Sequence, residues 1–161
     1  MRSKNCLVTG ASSGIGRETS IELSHYAKHI YIVGRNVSKL EEVNDLIVSN
    51  GCECTIVPLD LCEENSIENL SREISKKNSS IDYLILCAGS ISQLSPISSI
   101  DNEKFKAIID LNYIANFRIL KNFHLLLKNS KNAQLVLLSI NPDYVESIYW
   151  GIYKPVMLAL N

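Results

Sequence analysis

Short apolar runs alternate with longer stretches of helical periodicity along almost all of the 161 residues. The runs have the length of strands, and the stretches between them place apolar residues three or four positions apart, as amphipathic helices do. Strict alternation predicts a parallel sheet with helices on both faces, and right-handed crossovers then favour a doubly wound α/β fold. The predicted strands are 5–10, 29–34, 54–60, 81–89 and 133–139. The predicted helices are 14–27, 37–49, one through Ile67, Leu70 and Ile74 with Asp60 near its N-terminus, a long helical region over 101–129, and one that begins within 148–161.

The charge and hydropathy of the chain exclude several classes of partner. It carries 16 Lys and Arg against 17 Asp and Glu, spread along the sequence, for a net charge of −1. This balance argues against a nucleic acid or an anionic membrane as a partner. No stretch approaches the roughly 18 consecutive apolar residues of a membrane-spanning helix, and the first residues run into glycine too soon to form a secretory signal. We therefore expect a cytoplasmic protein that binds neither nucleic acid nor membrane.

Five cysteines, an odd number in a chain without a secretion signal, indicate reduced thiols. Cys52, Cys54 and Cys62 lie close together in sequence, but no fourth ligand follows at a spacing typical of a metal site. Because Cys54 falls in a predicted strand, we interpret these thiols as structural and expect no metal.

The segment TGASSGIG, residues 9–16, joins the first predicted strand to the first helix. Gly10 would let the chain turn tightly out of the strand, Gly14 would let a phosphate approach the backbone, and Gly16 would let the helix pack closely on the sheet. The N–H groups at the start of the helix would then face the anion. The spacing is G-x-x-x-G-x-G and not G-x-G-x-x-G, and no P-loop Lys-Ser/Thr pair follows. The alternative is a glycine turn with no ligand.

This motif resembles the cofactor turn of the short-chain dehydrogenases/reductases, in their classical branch. The resemblance continues in register from about residue 4 to about residue 160, through VGRN, LDL, CAG, LN at 111–112 and LLS. Each piece alone is weak, whereas the ordered set is specific. It implies a Rossmann-like fold, a bound nicotinamide cofactor, and hydride transfer with a small carbonyl or alcohol substrate.

The end of the second strand is where the resemblance places the adenosine ribose. The sequence there is Gly34-Arg35-Asn36, without a carboxylate, and the planar donor fork of Arg35 suits a 2′-phosphate. By family likeness this pattern prefers NADP(H) over NAD(H); the alternative is an arginine that caps the next helix or is solvated. The cofactor contacts that the resemblance implies are Gly10, Ser12, Ser13, Gly14, Ile15, Gly16, Arg35, Asn36, Asp60, Leu61, Ala88, Gly89 and Lys154.

Cys87 stands where the family has the asparagine of its N-A-G motif. In relatives that asparagine braces the sheet, so its replacement predicts a less rigid cleft.

The family's catalytic tyrosine is followed four residues later by a lysine that lowers its pKa, since i and i+4 share one helix face. Asn112 matches the family's asparagine and Lys154 matches its lysine, but the residue four before Lys154 is Trp150, whose indole does not titrate. No tyrosine in the chain has a lysine at i+4. Tyr149 or Tyr153 would reach the site only if the helix began at a shifted position.

The catalytic serine is the second departure from the family pattern. Laying LVLLSI over the end of the family's fifth strand puts Ser139 one residue before the catalytic position, which falls on Ile140. Ser139 would serve only after a change of register.

Relatives continue with at least one further strand, so the resemblance implies an incomplete single domain over 1–161 with strand order 3-2-1-4-5. Strand five would then be an exposed apolar edge, which a homo-oligomer or a second chain could cover; a natural truncation is equally compatible.

Three functions are therefore open. The first is an NADP(H)-dependent oxidoreductase impaired by Trp150, the second a catalytically silent NADP(H)-binding module, and the third a non-functional gene fragment.

Overall fold

The computed structural model describes residues 3–91, 95–141 and 149–160. Its strands form one parallel five-stranded sheet in the order β3-β2-β1-β4-β5. This is a Rossmann-like α/β fold and confirms the predicted class and strand order. The strands are β1 (Lys4–Thr9), β2 (Ala27–Gly34), β3 (Glu53–Pro58), β4 (Tyr83–Leu86) and β5 (Gln134–Leu137). The helices are α1 (Gly14–Leu23), α2 (Val37–Ser49), α3 (Ser66–Lys77), α4 (Asn102–Ile109), α5 (Ala115–Lys128) and α6 (Tyr153–Leu158), with a 3₁₀ turn at Ile97–Ser99 and a π-helical turn at Asp110–Ile114.

The central strand β1 pairs with β2 on one side and β4 on the other, so that Cys6 lies beside Ile30 and Tyr83. Successive side chains of β1 enter different cores, because strand side chains alternate between the two faces. Leu7 packs in the core beneath α3 and α5, whereas Val8 packs in the core beneath α2. Both residues are almost completely buried. This burial on both faces explains why the strands read as continuous apolar runs.

The bounds of most strands differ from prediction by one or two residues, and the first helix and the fourth strand differ by more. The first helix ends at Leu23 and not at residue 27, because the backbone tightens into short turns over the next residues and Ala27 pairs with Lys4 in the sheet. The fourth strand covers only Tyr83–Leu86, and not 81–89. Before it, the Ile81 N–H donates to Leu126 O at 3.1 Å; after it, the chain leaves the ladder as a loop.

The predicted helical region over 101–129 is helical but not uniform. It consists of α4, the π-helical turn and α5 in succession. A π-helical turn inserts one extra residue into a helix, and such insertions are frequent at functional sites. Asn112 lies within this turn and is buried.

The position predicted for Asp60 at the N-terminus of the third helix was wrong. That helix begins at Ser66, after Asn65 in a left-handed conformation with φ 59°. The Asp60 carboxylate instead accepts the Cys62 N–H at 2.9 Å, and its backbone carbonyl accepts the Ser66 hydroxyl at 3.0 Å. This loop therefore holds Asp60 at the carboxyl end of β3.

The outermost strand, β5, carries partly exposed apolar side chains. Leu135 and Val136 point to opposite faces of the sheet and are 47% and 42% exposed. Within the described residues β5 pairs with β4 alone, so its other edge carries unpaired backbone groups. Among the same residues, none of the helices combines the length and apolarity needed to cross a membrane.

At the opposite end of the sheet, Asp82 joins three strands. Its carboxylate accepts the Asn5 N–H at 2.9 Å and the Ser130 hydroxyl at 2.6 Å, and Lys4 Nζ lies 3.5 Å away. The backbone carbonyl of Asp82 accepts the Gln134 N–H at 2.7 Å. Burial alone would raise the pKa of Asp82, but these hydrogen bonds and the nearby Lys4 lower it below its ordinary value.

We expect Asp82→Ala to reduce the free energy of unfolding at pH 7 by about 2–3 kcal/mol, because it leaves buried donors without an acceptor. Since the folded pKa lies below the ordinary value of 3.8, the carboxylate stabilises the fold above that pH and ceases to do so as the pH falls through the folded pKa. Urea titrations of wild type and Asp82→Ala at pH 7 and near pH 3 should therefore show a difference in unfolding free energy that is smaller at the lower pH. Ser130→Ala, which removes one donor, should cost less. An equal difference in unfolding free energy at both pH values would contradict the stabilising role of the ionised Asp82 carboxylate.

Candidate functional site

The glycine turn connects β1 to α1 at the carboxyl edge of the sheet. Gly10 has a φ of +67°, and a Cβ there would lie 2.8 Å from the Ala88 backbone nitrogen. A Cβ on Gly16 would lie 2.4 Å from the Gly10 carbonyl oxygen. Both positions therefore require glycine, the first for conformation and contact and the second for contact alone.

Gly14 requires glycine for a different reason. Its φ is +53°, yet a Cβ there would meet no atom within 4 Å. The left-handed conformation disfavours a side chain, and the space beside Gly14 is open. The backbone at the start of α1 is thus accessible to a ligand from the cleft, and the N-terminal N–H groups of a helix attract anions.

A cleft of about 350 Å³ opens at this edge of the sheet. Eleven of the predicted cofactor contacts line it, namely Gly10, Ser12, Ser13, Gly14, Ile15, Gly16, Arg35, Asp60, Leu61, Ala88 and Gly89. The lining residues not among those predictions are Val33, Gly34, Leu59, Cys87, Leu111 and Leu138. Several of these residues lie at or just after the ends of strands, next to predicted residues in sequence. Their position at the carboxyl ends of the strands is the sequence signal that could have identified them.

Arg35 and Asn36 have different roles in the structure. The Arg35 side chain is 75% exposed at the rim of the cleft, with its guanidinium 3.8 Å from the Asp60 carboxylate. Asn36 caps α2, because its side-chain oxygen accepts the Lys39 N–H at 3.1 Å. The helix cap considered for Arg35 is therefore supplied by its neighbour, and Asn36 is not among the lining residues.

The wall of the cleft after β4 is held by hydrogen bonds from two sides. The Ala88 N–H donates to Thr9 Oγ1 at 3.1 Å. The Asn112 amide accepts the Ser90 N–H at 2.9 Å and donates to the Ser90 carbonyl at 2.9 Å. Cys87 lines the cleft as a thiol whose pKa burial raises, so it is neutral and acts as a small apolar side chain.

The catalytic candidates lie on three neighbouring elements: the π-helical turn, the end of β5 and α6. The Ser139 hydroxyl donates to the Met157 carbonyl at 2.7 Å, which ties the chain after β5 to α6. Helix α6 also packs against the π-helical turn that carries Asn112. The cleft is lined by Leu111 and Leu138, the sequence neighbours of Asn112 and Ser139.

Helix α6 begins at Tyr153, so Trp150 lies in the turn that precedes it. The Trp150 and Tyr153 rings have centroids 5.6 Å apart, and the Trp150 carbonyl accepts the Lys154 N–H at 3.0 Å. Burial raises the pKa of the Tyr153 phenol. One turn after Tyr153 the helix carries Met157, which is buried. Tyr149 is 47% exposed in the preceding turn.

Tyr153 and Met157 are one turn apart within α6, and the bond from the Lys154 N–H to the Trp150 carbonyl places Trp150 one turn before Lys154. Lys154 directly follows Tyr153 and lies about 100° further round the helix. Among the described residues, no three His, Cys, Asp or Glu side chains are grouped so that they could hold a metal ion.

The family model described as short chain dehydrogenase matches residues 4–154, which is most of the sequence. The chain belongs to the short-chain dehydrogenase family. The resemblance stated from the motifs is thereby confirmed, and with it membership of a family of oxidoreductases.

Curated members of the family include two useful comparisons. The chain is 32% identical over 140 residues to a fatty acyl-CoA reductase of Acinetobacter baylyi, covering 86% of this chain and 48% of that protein. It is 27% identical over 156 residues to the oxidoreductase YciK of Escherichia coli, covering 95% of this chain and 62% of that protein. The chain therefore spans only about half to two thirds of the length of these relatives.

Solved structures of the family superpose closely. The structure of YciK from E. coli gives a TM-score of 0.89 at 27% identity, covering 99% of this chain and 67% of that one. A short chain dehydrogenase from E. coli CFT073, solved in complex with NADPH, gives 0.88 at 27% identity, covering 99% and 68%. The described fold is thus the family fold over the matched region.

The open space at Gly14 gives a prediction with a matched control. We expect both Gly14→Ala and Gly51→Ala to lower stability by about 1 kcal/mol, because each glycine has a positive φ. Only Gly14→Ala should weaken NADPH binding, since its methyl group would stand in the cleft. Thermal unfolding and NADPH fluorescence titration measure the two effects. Equal NADPH affinity in the two variants would contradict an anion site at this turn.

Proposed function

We propose that this short-chain dehydrogenase binds NADP(H), in preference to NAD(H), in the cleft at the glycine turn. The open backbone at Gly14 beside two closely packed glycines supports a pyrophosphate at the start of α1. The exposed guanidinium of Arg35 at the rim supports a phosphate on the adenosine ribose, and a similar short chain dehydrogenase was solved with NADPH.

The Asp60 carboxylate near Arg35 does not remove this preference. The two groups are 3.8 Å apart and the Arg35 side chain is largely exposed, so their attraction is weak and screened. A bound phosphate carries more charge and could accept two guanidinium donors in parallel. Arg35 would therefore exchange a loose ion pair for a tighter one.

The cofactor preference is tested by Arg35→Gln. We expect the Kd for NADPH to rise about tenfold and the Kd for NADH to stay unchanged, because only NADPH carries the 2′-phosphate. Arg72→Gln, on the exposed face of α3 and paired with Glu68, is the control and should change neither. Equal losses for the two cofactors in Arg35→Gln would contradict the assignment.

We further propose that the chain has the hydride-transfer architecture of its family but a weakened proton donor. When bound, the nicotinamide would supply the hydride to a small carbonyl substrate. We assign the proton donor to Tyr153 at the start of α6, since Asn112 and Ser139 lie on the adjoining elements. Its phenol lacks a cation one turn along the helix, because Met157 is there, and burial raises its pKa.

We therefore propose an oxidoreductase of low activity, and the two alternatives make different predictions. A catalytically silent NADP(H)-binding module would show NADPH-dependent thermal stabilisation without turnover of any carbonyl substrate. A non-functional gene fragment would show neither effect. Measuring the thermal unfolding temperature with and without NADPH, beside NADPH oxidation over a panel of small aldehydes and ketones, separates the three.

The proposed proton donor is tested by introducing the missing lysine. We expect Met157→Lys to lower thermal stability, because position 157 is buried, and to raise NADPH oxidation about tenfold at pH values below the lowered pKa of the buried ammonium, where the cation favours the phenolate of Tyr153. Absorbance titration of the tyrosines should show one ionisation moving to lower pH in Met157→Lys. Met157→Leu, of similar volume, should change neither measurement.

The competing pairing is tested by Trp150→Tyr, which creates a tyrosine four residues before Lys154. The bond from the Lys154 N–H to the Trp150 carbonyl puts residue 150 one turn before Lys154, yet the assignment of Tyr153 as the proton donor predicts little gain from a phenol there. Restored turnover in Trp150→Tyr, with none in Met157→Lys, would overturn the assignment of Tyr153.

The β5 edge supports a further protein neighbour. Leu135 and Val136 present apolar side chains on both faces of a strand whose outer edge pairs with none of the described residues, and a homo-oligomer or a second chain could cover it. The five cysteines, all free thiols, support a cytoplasmic location.

A further inference from the structure

The Asn112 side chain holds the cleft wall in place through the backbone of Ser90. Its amide oxygen accepts the Ser90 N–H and its amide nitrogen donates to the Ser90 carbonyl, both at 2.9 Å. The same nitrogen donates to the Ile108 carbonyl at 3.0 Å. A Cβ on Gly89 would lie 2.7 Å from the Asn112 amide oxygen, so wall and side chain are in direct contact.

Asn116 supports Asn112 from one turn further along. Its amide nitrogen donates to the Asn112 carbonyl at 2.7 Å, and its side chain is buried near the start of α5. Asn112 lies in the π-helical turn, whose backbone hydrogen bonds differ from those of the flanking helices. A donor fixed on the Asn112 carbonyl therefore stabilises the turn that aims the Asn112 amide at the cleft wall.

We propose that Asn116 is a positioning residue for the nucleotide cleft, acting through Asn112 on the wall formed by Ala88, Gly89 and Ser90. The two asparagines brace this wall from the helix side. The expected effect of Asn116 on NADPH affinity rests on the proposed NADP(H) binding. Its expected effect on the Ser90 backbone does not depend on that proposal.

Asn122 offers a matched control. Its amide nitrogen donates to the Arg118 carbonyl at 2.8 Å, the same i to i−4 bond on the same helix. The backbone carbonyl of Asn122 accepts the Ser71 hydroxyl of α3 at 2.7 Å, on the side of α5 that packs against α3. Loss of either amide removes one side-chain hydrogen bond from α5, but only Asn116 is linked to the cleft.

The first measurement needs no cofactor. We expect Asn116→Ala to speed hydrogen exchange of the Ser90 amide about tenfold relative to wild type, because its acceptor on Asn112 is no longer held. Asn122→Ala should leave this exchange rate unchanged. Asn116→Ser should restore much of the protection, since the Ser20 hydroxyl makes the same bond to the Gly16 carbonyl at 2.7 Å in α1.

The second measurement is the Kd for NADPH in the same variants. Asn116→Ala should weaken NADPH binding about fivefold or more, and Asn122→Ala should not, even where the two lose similar thermal stability. Unchanged Ser90 exchange in Asn116→Ala, or the same exchange and affinity in both alanine variants, would overturn the positioning role. If wild type binds no NADPH, the proposed function fails, and the Ser90 exchange still decides the role of Asn116.

Discussion

The cleft depends on the pairing of β1 with strands on both of its edges. Because β1 is parallel to β2 and β4 and is buried on both faces, its carboxyl end is fixed relative to theirs. Thr9 closes the strand and accepts the Ala88 N–H, and Gly10 then turns against the Ala88 backbone. The start of α1 is placed by this contact, and with it the open space beside the Gly14 backbone. A change of register at β1 would displace all of these groups together.

The opposite wall of the cleft depends on the helical region between α4 and α5. The sequence predicted a less rigid cleft, because Cys87 replaces the family's asparagine. In the structure the Asn112 amide bonds both backbone groups of Ser90, and Asn116 in turn bonds the Asn112 carbonyl. These bonds brace the loop after β4 from the helix side. Buried networks of this kind confer rigidity when each polar group finds a partner.

Much of the fold followed from apolar periodicity, and the residues of the glycine turn followed from their spacing. What could not be predicted depended on single hydrogen bonds. The π-helical turn has no mark in the helical pattern of 101–129, and the capping of α2 by Asn36 rather than Arg35 depends on one bond to Lys39. The bounds of α6 are a further case, because the helix begins at Tyr153 although the Lys154 N–H already bonds the Trp150 carbonyl in the turn before it. Element boundaries are the features least determined by periodicity.

Nucleotide binding at the glycine turn is the claim on which the others rest. Its most direct test is a titration of the isotopically labelled protein with NADPH, followed by backbone amide NMR shifts. Binding as proposed predicts saturable shifts at the amides of Gly14, Ile15 and Gly16, together with Gly89 and Ser90 on the facing wall. Saturating NADPH that leaves the amides at the start of α1 unshifted would contradict the assignment of this cleft.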